Sequence, residues 1–116
     1  MYVILFEAIP HPERVDEYFA WSKELFEALY QQPGFLGIDR AKSIYTEDKL
    51  LSISFWESEE AIDAWADHPR HREAQEAGKR GIFKFMRITR MQVLSSREVP
   101  ILESPEETTA QAGTGA

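Results

Sequence analysis

"YVILFEAI", Tyr2 to Ile9, decides how the rest of the chain is read. Tyr2, Ile4, Phe6 and Ala8 fall on one alternating face, and Val3, Leu5 and Ile9 make up most of the other. Successive side chains of a strand point to opposite faces, so an apolar run on both predicts a strand buried on both sides. Glu7 is the only charge in the run. An ionised carboxylate inside a buried strand is costly unless it is paired or hydrogen-bonded. The final strand is expected antiparallel beside this one, which brings Arg87 or Arg90 within reach of Glu7. A structural ion pair, or an exposed carboxylate at the strand end, is one reading of Glu7. The other makes it a polar group in a pocket, able to orient a substrate hydroxyl.

Outward from that strand, "PHPER" breaks the pattern and a helix follows over residues 13–31. Val15, Tyr18, Phe19, Ser22, Leu25, Phe26 and Leu29 recur at three- and four-residue spacing, and Pro33 and Gly34 end the helix. Residues 35–46 and 49–56 read as two strands around the hairpin turn "TEDK". Ser58 is an N-cap with Glu59 and Glu60 in the first turn, where the helix dipole favours acids. Ala61, Ile62 and Trp65 form this short helix's apolar stripe. Pro69 starts a second helical piece at its first position, and Gly78 is expected to cap its C-terminus. Residues 82–94 form the last strand.

The order strand, helix, strand, strand, broken helix, strand is the α+β, ferredoxin-like βαββαβ pattern, with a four-stranded antiparallel sheet. Its helices cover one face. The first and third strands are apolar on both, so the second face needs a cover, and the simplest is a second copy of the same sheet. Periodicity alone therefore predicts a homodimer with two sheets packed face to face.

The 116 residues fit one domain, 43% hydrophobic and 12% aromatic. No cysteine is present, so disulfides and thiolate chemistry are excluded and a reducing, cytoplasmic setting fits. No stretch reaches the length of a membrane span, and the apolar start lacks the basic lead-in and cleavage site of a signal peptide. The net charge of −7 argues against a nucleic-acid surface. Residues 95–116 carry four acids and one base among Ser, Thr, Pro, Gly and Ala, and are expected to form a flexible acidic tail outside a folded domain of residues 1–94. Within it, Val99 to Leu102 could serve as a short arm on a neighbouring chain.

Three stretches carry a family resemblance: "PGFLG" (Pro33 to Gly37), "SFWESEEAIDAW" (Ser54 to Trp65) and "HPRHREAQEAG" (His68 to Gly78). Together they resemble the antibiotic biosynthesis monooxygenase (ABM) domain of the dimeric α+β barrel superfamily. The resemblance implies a homodimer whose two sheets make a barrel, with a pocket in each protomer between sheet and helices. It further implies a monooxygenase without cofactor or metal that uses O₂ on a small aromatic phenol or quinol. Trp65 matches the tryptophan that lines the pocket in several family oxygenases. His71 and Glu7 are the candidate bases, and an arginine, Arg87, would steady the substrate anion. Ser54, Ser52, Tyr30 and Tyr45 are further polar candidates. Trp56, at a strand end, reads as packing. The haem-degrading relatives need an asparagine on the first strand and a histidine on the broken helix. Glu7 and Gln75 stand at those places, which points away from haem degradation. A shared metal would require His11, which is expected at the same sheet edge as Ser58, to converge with His68 and His71. A non-catalytic binding or accessory dimer of the same fold is the alternative.

Overall fold

The computed structural model describes residues 1–102. Strand β1 (Tyr2–Pro10) leads through a 3₁₀ turn at Pro12–Arg14 into helix α1 (Val15–Leu29). Strands β2 (Phe35–Lys42) and β3 (Leu50–Trp56) form a hairpin. Helices α2 (Glu59–Ala66) and α3 (Pro69–Ala77) make the broken helix, and β4 (Phe83–Gln92) closes the sheet. The sheet is antiparallel throughout, in the order β2-β3-β1-β4, so the α+β, ferredoxin-like architecture is the one the pattern predicts.

The break between α2 and α3 follows from two local devices. The Ser58 hydroxyl accepts from the Ala61 amide and starts α2. His68 Nδ1 accepts from the Arg70 amide, and Pro69 takes the first position of α3, where its missing N–H costs nothing. Gly78 is the C-cap residue of α3, as expected, but without the left-handed turn that glycine often makes there. Gly78 keeps right-handed helical angles, and the chain instead turns at Gly81, whose φ of 103° only glycine adopts readily. Arg14 Nη1 donates to the Arg80 carbonyl at 3.0 Å and ties this turn to the start of α1.

Strand β2 also ends earlier than its alternation suggests. The Ser43 hydroxyl accepts from the amides of Tyr45 and Thr46, which draws those residues into a turn four positions before the expected end at 46. Ile44 and Tyr45 project fully into solvent as a result.

The core lies between sheet and helices, built on Leu29, Trp56, Ile62 and Trp65. A buried indole removes about 200 Å² from water, roughly 5 kcal/mol at about 25 cal/mol per Å². Trp56 and Trp65 are therefore the largest single contributors to this core. Two of the family-like stretches meet here. Gly34, at φ 82°, accepts at its carbonyl from the Glu57 amide at 2.8 Å, and a Cβ on it would lie 2.6 Å from that of Ala61. A side chain at Gly34 would push α2 off the sheet.

The other sheet face carries no helix among the described residues. Ile53, Phe85 and Met91 are 37–40% exposed there. Residues 93–102 form neither helix nor strand, and Val99, Ile101 and Leu102 are exposed. The rest of the expected tail, residues 103–116, lies outside the described residues.

Candidate functional site

Directly paired residues of an antiparallel sheet share a face. Ile4 pairs with Ser54 and Phe6 with Ser52, and these face the helices. Between them and α1, α2 and α3 lies a cavity of about 480 Å³, within the range of small-molecule sites. Its walls are mostly apolar. Trp65 and Trp56 form one side, Trp21, Leu25 and Phe26 of α1 another, and Met86 and Ile88 of β4 the floor.

Trp65 is both core and wall. It completes the stripe with Ala61 and Ile62, is 8% exposed, and presents what remains of its surface to the cavity. His71 stacks on it with ring centroids 4.9 Å apart and planes 12° from parallel. The Nδ1 of His71 lies 3.1 Å from the Trp65 carbonyl oxygen. A carbonyl only accepts, so Nδ1 carries the proton and Nε2 is left with the lone pair. Burial lowers the His71 pKa from 6.5; the Trp65 carbonyl opposes that shift, and His68 adds to it. The result is a neutral imidazole in one tautomer, on the cavity wall and able to accept a proton near neutral pH.

Ser54 is buried on the cavity face, and its hydroxyl oxygen accepts from Trp56 Nε1 at 2.9 Å. Its proton remains available to donate. Trp56 is thus a wall residue as well as packing. Ser52 and Gln75 also line the cavity.

Four of the expected placements are corrected. Glu7 lies on the opposite sheet face, because it occupies an odd position of β1 whose even positions face the helices. Its direct partner Arg87 lies there too. Arg87 Nε donates to Glu7 Oε2 at 2.7 Å, and Lys49 Nζ sits 2.6 Å from Oε1. Hydrogen bonds from Arg87 and then Lys49 outweigh burial and lower the Glu7 pKa from 4.5 to about 2. Glu7 is therefore a permanent carboxylate in an ion-pair cluster and cannot serve as a base in the cavity. Tyr30 is 64% exposed and packs edge-on against Phe35 outside the cavity. Tyr45 stands in the exposed loop after β2.

His11 is likewise displaced. Tyr2 pairs with Trp56, so Ser58 follows the start of β1 while His11 follows its end. His11 Nδ1 stands 3.9 Å from Glu13, and His68 is occupied in capping α3. Among the described residues no group of three or more His, Cys, Asp or Glu is placed to share a metal ion.

Trp21, Arg90 and Arg40 line the cavity without standing out in the sequence as site residues. Trp21 belongs to the same three-four stripe as Tyr18, Leu25 and Phe26, so the signal was present. Arg90 reads in the sequence as a partner for Glu7. It instead lines the cavity and bridges to α2, through Glu59 at 3.4 Å and Asp63 at 2.8 Å. Arg40 shares its sheet face with Ile38, yet a charge on a strand at the sheet's edge gives no sign of which side it serves.

The family model for antibiotic biosynthesis monooxygenase matches residues 1–77. The chain belongs to that family. A jasmonate monooxygenase of Pyricularia oryzae is 32% identical over 96 residues, or 83% of this chain. This chain spans only 45% of that relative's length. Among solved structures, Rv0793 from Mycobacterium tuberculosis superposes with a TM-score of 0.75 at 13% identity, over 84% of this chain and 98% of that one. SnoaB of Streptomyces nogalater, a cofactor-independent oxygenase solved as a mutant, superposes with a TM-score of 0.69 at 12% identity, over 82% and 94% of the two chains. These two likenesses bear on the fold alone. No helix among the described residues is long and apolar enough to cross a membrane.

Proposed function

We propose that this ABM-family chain is a cofactor-independent monooxygenase that oxidises a small aromatic phenol or quinol inside the cavity. The observation that carries the reading is the neutral His71, stacked on Trp65 in the wall of an apolar space of about 480 Å³. In this chemistry the substrate supplies the electrons. His71 Nε2 takes the acidic proton, and the resulting anion passes an electron to O₂. For an anthrone-type CH₂ becoming C=O, one oxygen atom stays on carbon and the other leaves as water with the two hydrogens. The protein holds the flat substrate against Trp65 and keeps the site dry.

The working unit is proposed to be a homodimer, with the open sheet face of each protomer covered by the other. The absence of cysteine fits a reducing compartment such as the cytoplasm. The test is oxygen-electrode turnover of dithranol, an anthrone, after subtraction of its spontaneous oxidation. The rate of the intact protein should hold at pH 7 and fall only as pH drops below 6.5, because burial lowers the His71 pKa. In His71→Gln the rate should drop about 100-fold, the usual scale of a lost general base, and this acid limb should vanish. Full activity in His71→Gln would sink the assignment. The second reading is a binding or accessory protein, favoured by the mostly apolar lining of the cavity, in which His71 is the one candidate base. It predicts dithranol binding with no oxygen uptake above the buffer rate.

A further inference from the structure

We infer that the molecule bound in the cavity carries a carboxylate, and that Arg40 is its docking group. This rests on the reading of the cavity as the substrate site and adds the chemical class of what enters it.

Arg40 lies on β2 and Arg90 on β4, and these two bring guanidinium groups to the cavity lining. Their surroundings differ. Arg90 is held between Glu59 and Asp63, so its charge is already answered twice over. Arg40 has no carboxylate within ion-pair distance of its guanidinium among the described residues. Its guanidinium carbon instead lies 4.7 Å above the centre of the Phe26 ring and 6.0 Å from that of Tyr18. Stacking on aromatic faces fixes the plane of a guanidinium while leaving its N–H edge unused. That edge is the fork that matches the two oxygens of a carboxylate.

Two neighbours strengthen the fit. Ser52 pairs directly with Arg40 across the β2–β3 ladder, lines the same cavity, and makes no side-chain hydrogen bond among the described residues. It can donate to the same oxyanion. Lys42, two residues along on the same sheet face, also lacks an acidic partner among the described residues and lines a smaller hollow that shares Arg40 and Tyr18 with the cavity. In a chain of net charge −7, two neighbouring cations without acids among the described residues mark a local positive field beside an apolar space. Of the two arginines that line the cavity, only Arg90 is held by acids. The occupant that answers both features is an apolar, ring-bearing acid. Its body lies along Trp65 and Trp21, and its carboxylate lies at the Arg40 end.

Calorimetric titration of the full chain with 2-naphthoate and with its neutral analogue 2-naphthamide tests this. The intact protein should prefer the carboxylate by about tenfold in Kd, the equivalent of one good charge-assisted contact. Arg40→Gln should remove the preference by weakening naphthoate alone, with naphthamide unchanged. Arg40→Lys, which keeps the charge and loses the fork, should leave a reduced preference. Lys79→Gln, which deletes a surface cation elsewhere, should leave it whole. A preference that survives Arg40→Gln, or an intact protein that binds both probes equally, overturns the inference while the cavity remains a binding site. Failure of the intact protein to bind either probe overturns the cavity reading itself and this inference with it.

Discussion

On one face of β1, Ile4 and Phe6 look into a cavity roofed by three helices. On the other, Leu5 and Glu7 lie among Ile53, Phe85 and Arg87 with no helix above them among the described residues. The two faces are similarly apolar in sequence and differ in how each handles polarity. The cavity face keeps its polar groups sparse and partly uncommitted: one neutral histidine, the Ser54 proton, and an arginine without an acid among the described residues. The open face closes its charges on each other, with Glu7 held by Arg87 and Lys49. A face meant to be covered by another protein surface gains from such internal neutralisation, because an unpaired buried charge is expensive. A face meant to receive small molecules gains from leaving groups unanswered.

Replacing the wall of the cavity should have the largest effect. Trp65→Ala removes a core indole and is expected to cost about 3–5 kcal/mol of stability, read as a lower urea midpoint, together with loss of dithranol binding. If the midpoint were to stay put, Trp65 would not be the shared core and wall residue described above.

The open face should break differently. Ile53→Arg places a charge at the centre of the proposed sheet-to-sheet contact. The intact protein is expected to run in light scattering at about twice its 13.4 kDa chain mass, and the variant as a folded monomer with an unchanged far-UV spectrum. An intact protein that is itself monomeric would show that the open face is bare, and the contrast between the faces would need another cause.

The smallest effect concerns Glu7. Its pKa is lowered from 4.5 to about 2, so its stabilisation is fully present above pH 4.5 and is lost as pH falls through about 2. Glu7→Gln should lower stability modestly at neutral pH, flatten the fall in urea midpoint between pH 4.5 and 2, and leave dithranol turnover intact. Loss of turnover in that variant would join the two faces functionally.

Much of this molecule was legible in the chain because it depends on near neighbours. The Ser58 cap, Pro69 opening α3, the three-four stripe of α1 and the period-two alternation of β1 each act within a few residues, and each formed as expected. The hairpin loop was misread because the Ser43 hydroxyl competes locally for the amides of Tyr45 and Thr46, a small polar effect that hydrophobic alternation does not register. The Glu7–Arg87 pair was foreseen, because antiparallel neighbours can be counted along the chain. The side of the sheet on which it lies was not.

The sequence by itself determined the elements and their order, and it predicts a cover on both sides of β1, since these follow from periodicity and local capping. Only the tertiary structure decided which parity of β1 faces the helices. That choice sent Glu7 and Arg87 away from the cavity, left His71 on Trp65, and set Arg40 over Phe26 with no acid among the described residues to answer it. The physical reason is that alternation is symmetric between two faces. The symmetry is broken only when distant helices land on one of them, and a cavity is the space that their combined packing leaves unfilled.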